Sequence, residues 1–358
     1  MPAKPNASYA EQRAKELTLR SRELLKTLPE ICAEFTQALA PNTQPLTRYA
    51  YLCDIRIFCE YLLSEVPEFA DKSIPALKPA DFEDVTPRIL RSYLEYLDYY
   101  IKDDNERSNS DVTKMRKLSS LRRFYEFMYK AEYIASDVTK LVDLPKRREK
   151  PIIRLEIDEA ARMLDNVESG EGQPEHQRHY NDHTRKRDLT ILTLFLGTGM
   201  RVSELVGLNV GDVDFSINGL LVTRKGGKQT ILYFPQEVAD TLQDYMVYRR
   251  ELEPAAGHED ALFLSLQNKR ISVRAVQTMV KKYAEPVAPL KKHLSPHKLR
   301  STFGTNLYRE TGDIYVVADV LGHSDVNTTR RHYAAMSEDL RREAAKKVYL
   351  REDPTDKK

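Results

Sequence analysis

Two residues three positions apart, His297 and Arg300 in "SPHKLRSTFGTNLY", open the chemical reading of this chain. Ser295 suits an N-cap and Pro296 the first helical position, so both side chains would leave the first turn toward one anion. A site that grips a phosphate and moves a proton uses such a pair. A solvated basic face, or a half-buried histidine beside a surface arginine, has the same spacing. Arg201 opens another helix directly after Gly197 and Gly199, with Glu204 one turn on. There the positive helix end and free backbone N–H groups can share an anion with the guanidinium. An exposed arginine with an i,i+3 carboxylate partner fits that pattern equally. Lys225 precedes Gly226-Gly227, at the tip of a hairpin that can deliver an ammonium into a groove. Gly322 ends a helix, His323 begins the next element, and Tyr333 follows ten residues later. A tyrosine on an amphipathic helix is ordinarily core.

These groups need elements to position them, and the chain is long enough for two domains: 358 residues, 41% hydrophobic and 31% charged. No apolar run approaches the ~20 residues that span a bilayer. "MPAKPNASYAEQRAKEL" has no apolar core of signal-peptide type. A cytoplasmic protein without membrane contact is expected. Cys32, Cys53 and Cys59 form no even framework and are expected as reduced thiols. The net charge is +2, but its distribution is uneven. Glu60 to Glu106 carries twelve acidic and five basic residues, Pro145 to Arg154 five basic and one acidic, and Lys281 to Arg300 six basic and one acidic. Positive charge gathered into separate stretches can present a nucleic-acid surface, or it can be ordinary solvated lysine and arginine.

Apolar residues recur at three- and four-residue steps up to about Leu144, which predicts a bundle that is helical throughout. Leu118, Leu121, Phe124, Tyr125 and Met128 form one stripe. Arg116, Arg122 and Arg123 lie off it, available for phosphate. "LPKRREKP" breaks the period and is expected as a basic interdomain linker, with Lys146, Arg147, Arg148 and Lys150 available to track phosphates or left as solvated charge. "ESGEGQPEHQRHYNDHTRK" is expected as a polar loop; the spacing of His176, His179 and His183 suits a metal, but a histidine-bearing loop is the commoner case. "RDLTILTLFLGTG" predicts a buried helix stopped by Gly197 and Gly199. "DVDFSINGLLVTRKGGKQTILYFP" alternates with turn signals, which predicts about three antiparallel strands. The expected fold is therefore mainly α with a small antiparallel β-sheet in the second domain.

Taken in order, "TGMRVSELVGL", "TRKGGK", "HKLRSTFGTNLY" and "LGHSD…Y" resemble the catalytic boxes of the tyrosine recombinase (phage integrase) family. The helical N-terminal half, with "LSSLRRFYEFM", is similar to that family's core-binding domain. Length, "VTRKGGK" and "MVKKYAEP…LSPHKLR" look most like single-protein Xer recombinases of the XerS type. The resemblance implies residues 1–144 as a DNA-binding core-binding domain, 145–154 as linker, 155–336 as catalytic domain and 337–358 as a tail for protomer contact. It implies Tyr333 as nucleophile, Arg201 and Arg300 as phosphate clamp, and Lys225 as general acid for the leaving 5′ oxygen. His297 would transfer a proton, His323 would hydrogen-bond the phosphate and Glu204 would support the pocket. Lys228, Lys291 and Lys292 complete the expected DNA contacts. Two departures stand out. Ser301 replaces a frequent histidine, and Tyr333 lies ten residues after His323 where many Xer proteins have nine; His332 holds the ninth place.

The implied partners are duplex DNA with a specific site, four copies of the chain on two such sites, and a translocase activator. No cofactor or metal is expected: two guanidiniums can stabilise phosphoryl oxygens, and a phosphotyrosine conserves bond energy without ATP. Chromosome-dimer resolution is the first reading and mobile-element integration the second. A type IB topoisomerase and a DNA-binding protein with a decayed site share parts of the pattern.

Overall fold

The computed structural model describes residues 8–102, 104–144, 153–170, 175–224, 227–291, 294–323 and 326, with 175–183 described by backbone alone. The chain divides into two compact units, Met1–Lys150 and Pro151–Lys358. Among the described residues no helix is long and apolar enough to cross a membrane.

The first unit starts at a reciprocal cap. The Ser8 hydroxyl accepts from the Glu11 N–H at 3.3 Å and the Glu11 carboxylate accepts from the Ser8 N–H at 2.9 Å, which fixes the start of α1 (Tyr9–Leu25). Next come α2 (Ile31–Leu39), α3 (Pro45–Glu65), α4 (Pro79–Glu83) and α5 (Pro87–Tyr96). A proline opens each of the last three, where its fixed φ and missing N–H cost nothing. The periodicity predicts a unit that is helical throughout, and the structure corrects this. β1 (Tyr100–Lys102) and β2 (Asn105–Arg107) form a hairpin, pairing Tyr100 with Arg107. Asp104 turns it with φ of 57°, a conformation that a short polar side chain tolerates. Then α6 (Asp111–Lys130) packs against α2 and α3. Its stripe Leu118, Leu121, Phe124, Tyr125 and Met128 is fully buried, as its spacing requires. Phe124 meets Phe35 edge-on at 5.2 Å and Phe82 at 5.3 Å, pairs that add about 1 kcal/mol each beyond buried area.

The off-stripe arginines divide. Arg116 forms a two-pronged ion pair with buried Asp54, which also accepts from Lys117 at 3.3 Å and Ser120 at 2.7 Å. Arg122, an expected phosphate contact, instead turns into the unit and donates to the Val142 carbonyl at 2.7 Å. That carbonyl follows a 3₁₀ turn (Val138–Leu141) and has no repeating helix to take it. Arg123 is exposed and pairs with Glu126 at 2.6 Å. The three cysteines are free thiols; Cys32 and Cys59 are buried, and burial pushes the Cys32 thiol up to about 12.

The second unit is arranged around one long helix. After α7 (Ile157–Ser169), ended by Gly170 at φ 72°, α8 (Glu175–Thr198) packs against α7 and against two later helices. The expected polar loop is therefore helical from Glu175, and His176, His179 and His183 stand on helical backbone. No glycine or proline interrupts 175–196, so the polar run simply extends the buried helix. Gly197 does not stop α8 either. It lies inside it, where a Cβ would come within 2.6 Å of Val238 on α10 (Gln236–Glu251). Gly199, at φ 61°, is the stop.

Beyond it come α9 (Val202–Gly207) and a three-stranded antiparallel sheet in the order β3 (Val213–Asp214), β4 (Gly219–Thr223), β5 (Gln229–Tyr233). β4 and β5 pair Leu221 with Ile231 and turn Leu220, Val222 and Leu232 inward. The unit continues through α10, α11 (Val273–Val287), α12 (Pro296–Thr311) and α13 (Ile314–Leu321). The fold is thus mainly helical with small antiparallel sheets.

Candidate active site

Arg201 is the N-cap residue of α9. Buried Glu204 holds it twice, accepting from the Arg201 N–H at 2.8 Å and from its guanidinium at 2.8 Å. α9 has six residues, so positive charge here rests on the guanidinium more than on a helix dipole. Pro296 and Ser295 occupy the expected first and capping positions of α12, but the Ser295 hydroxyl makes no capping hydrogen bond. Arg300, one turn in, is buried. It donates to the Gly199 carbonyl at 2.6 Å and to the Leu321 carbonyl. Gly199 can offer that carbonyl because it has positive φ and no Cβ, which would collide with Phe303 and sit 2.9 Å from Leu321.

The end of α13 draws these groups together. Gly322, at φ 61°, closes the helix, and the N–H groups of Gly322 and His323 take the carbonyls of Asp319 (2.8 Å) and Ala318 (2.9 Å). The next three carbonyls receive three guanidiniums: Val320 from Arg224 at 3.0 Å, Leu321 from Arg300, and Gly322 from Arg201 at 3.0 Å. A guanidinium has five donors, so anchoring to carbonyls is compatible with contact to a phosphate.

Around this junction lies a cavity of about 430 Å³ lined by Arg201, His297, Arg300, Ser301 and His323, with Met200, Pro296 and Leu321 as its apolar wall. His297 is open toward the cavity. Partial burial, with the nearby cations Lys298, Arg300 and Arg201, holds its pKa below the ordinary 6.5. The imidazole is neutral at pH 7 and can accept a proton. Ser301, at the position of the frequent histidine, donates to the His297 carbonyl at 3.1 Å.

Of the expected site residues, Arg201, Glu204, His297, Arg300 and His323 thus meet at one place. Lys225 and Tyr333 lie outside the described residues, as do Lys146, Arg147, Arg148, Lys150 and Lys292. Lys228 is exposed on the β4–β5 turn; Lys291 forms an ion pair with Glu159 on α7. Arg224 has no place in the expected site. Strand alternation carried the signal for it: with Leu220 and Val222 turned inward, residue 224 falls on the same face. Thr302, whose hydroxyl accepts from the Leu155 N–H at 2.9 Å, ties α12 to the segment entering the unit.

Residues 154–339 match the phage integrase family. The tyrosine recombinase XerC of Caldanaerobacter subterraneus subsp. tengcongensis is 33% identical over 360 residues, covering 95% of this chain and 92% of its own. The XerC of Pelobacter propionicus is 29% identical over 292 residues, 81% of this chain and 85% of its own. Among solved structures, the XerH recombinase bound to a palindromic difH substrate shares the fold with a TM-score of 0.62, at 20% identity over 86% of this chain and 81% of that one. The chain belongs to the phage integrase family, the tyrosine recombinases, enzymes that cleave and rejoin DNA. Within it the relatives are Xer recombinases, and the activity is site-specific recombination of the Xer kind.

Proposed function

We propose that this protein is a single-protein Xer recombinase of the XerS type, resolving chromosome dimers by cutting and rejoining duplex DNA through a 3′-phosphotyrosine. The convergence of Arg201, His297, Arg300 and His323 on one cavity carries the reading. The two guanidiniums bind the nonbridging oxygens and offset the charge that grows there during transfer. The Tyr333 oxygen attacks phosphorus while its proton passes to His297, whose lowered pKa keeps it neutral beforehand. The P–O5′ bond breaks, and the 5′ oxygen takes a proton from Lys225. His323 hydrogen-bonds the phosphate, and Glu204 keeps Arg201 aimed. A 5′-hydroxyl from the partner strand then reverses the steps, restoring a phosphodiester and the free tyrosine without ATP.

Four copies act on two DNA sites, joined by the tail 337–358, with a translocase as activator. Arg123, Lys228, Lys291, Lys292 and the basic segment Lys146, Arg147, Arg148 and Lys150 face the DNA backbone. Tyr333→Phe tests the core of this reading. It removes one oxygen and little packing, so DNA binding survives while covalent capture of a nicked suicide substrate on a denaturing gel disappears. A persistent adduct overturns the assignment. The ten-residue step from His323 to Tyr333 is the observation on the side of mobile-element integration. Sequencing DNA captured on Tyr333 in cells separates the two: one chromosomal site for resolution, element ends for integration.

A further inference from the structure

Arg224 is the last residue before the β4–β5 turn, and both its backbone and its side chain are fixed. Its N–H donates to the Lys228 carbonyl at 2.8 Å, and its own carbonyl accepts from the Gly227 N–H at 3.1 Å. Arg224 is therefore the base on which that turn closes. Its half-buried side chain reaches across to α13 and donates to the Val320 carbonyl.

A helix leaves its last carbonyls without intrahelical partners, and buried ones need donors. At α13 the closing turn takes Ala318 and Asp319, Arg300 takes Leu321, and Arg201 takes the Gly322 carbonyl just beyond. Val320 falls to Arg224. The approach is close enough that a Cβ on Gly322 would collide with the Arg224 guanidinium. One helix end thus holds both clamp arginines and the base of the β4–β5 turn.

We propose that Arg224 is a positioning residue: it fastens the base of the β4–β5 turn to the carboxyl end of α13, keeping the turn's proton donor in register with the phosphate clamp. This rests on the reading above, in which Lys225, the next residue, protonates the leaving 5′ oxygen. A donor misplaced by about 1 Å slows its reaction by about 100-fold. The defect belongs to protonation of the leaving group, so it vanishes when that group needs no proton.

The test is single-turnover cleavage of two suicide substrates, one with the ordinary 5′ bridging oxygen and one with sulfur there, which leaves unprotonated. Arg224→Met keeps the apolar stem and removes the guanidinium. It is expected to cut the oxygen substrate about 100-fold more slowly than the parent and the sulfur substrate at nearly the parent rate, with single-site DNA binding unchanged. Arg224→Lys, which keeps a cationic donor, is expected to recover part of the loss and serves as the second variant should Arg224→Met fold poorly in a thermal melt. Equal slowing on both substrates, or none on oxygen, overturns the proposal. Lys225→Ala, run in parallel, separates the two ideas. Rescue of Lys225→Ala by sulfur without rescue of Arg224→Met rejects the role of Arg224 alone. Rescue of Arg224→Met without rescue of Lys225→Ala keeps that role and moves the proton donor to another residue of the turn.

Discussion

His297 stands among cations: Lys298 beside it, Arg300 one turn on, and Arg201 across the cavity. Burial and this company both disfavour a further positive charge, so the ring stays neutral to a lower pH than a free histidine. The sign follows. As pH falls past 6.5 an unfolded chain takes up the proton first, and folded stability declines as pH falls toward the depressed folded value. In the proposed mechanism catalysis follows the folded group, so the acid limb of single-turnover cleavage is expected to be centred below pH 6.5. His297→Gln removes that acid limb along with most of the rate. A limb centred at or above 6.5 in the parent would assign the proton to another group. In the proposed clamp Arg201 does not stand alone. Glu204 accepts from both its backbone and its guanidinium, and that carboxylate is buried.

At the scale of elements, the proposed phosphate clamp depends on where α8 ends. Gly199 turns the chain at positive φ, presents its carbonyl to Arg300 and lets Phe303 pass over it. A side chain there is strained in backbone and collides with α12. Gly199→Ala is expected to lower stability by about 1–3 kcal/mol in a denaturant titration, from backbone strain alone. It should also slow covalent capture more than the stability loss explains, because the Arg300 anchor moves. Unchanged stability and unchanged capture would show that the end of α8 does not set the clamp. The same scale explains why Arg116 and Arg122 are poor guides to DNA contact. Both leave α6 off its apolar stripe, but each finds an acceptor within its own unit, buried Asp54 or the Val142 carbonyl.

At the scale of the whole molecule, the chain continues past Met336 as "SEDLRREAAKKVYL", with Leu340, Ala344, Ala345, Val348 and Leu350 at helical spacing. This segment lies outside the described residues. Such an apolar stripe buries itself against its own domain or against a neighbour. In the proposed tetramer it docks on the neighbour, and because it follows Tyr333 so closely it ties partner arrival to placement of the nucleophile. A chain ending at Met336 is expected to bind a single DNA site normally and to lose synapsis and strand exchange. Native gel mobility and a two-site recombination assay measure this. A truncated chain that still assembles four copies and recombines refutes the shared tail.

The sequence by itself determined the chemical inventory and its order, because the signals involved are local. Pro296 suits a helix start, Gly322 accepts a left-handed turn, and the alternation on either side of the Gly226-Gly227 turn signal suits strands. From these, Arg201, Glu204, His297, Arg300 and His323 could be named with their places on elements. The buried stripe of α6 was legible for the same reason. Tertiary structure alone decided which donors meet which acceptors. Arg300 finds Gly199 across 101 residues and Arg201 finds Gly322 across 121, distances over which no periodicity speaks. Only packing could show that Gly197 makes room for Val238 while Gly199 stops the helix, or that a helix's unpaired carbonyls gather three arginines. A long side chain's direction is set by the acceptor that folding brings within reach, and that acceptor is encoded elsewhere in the chain.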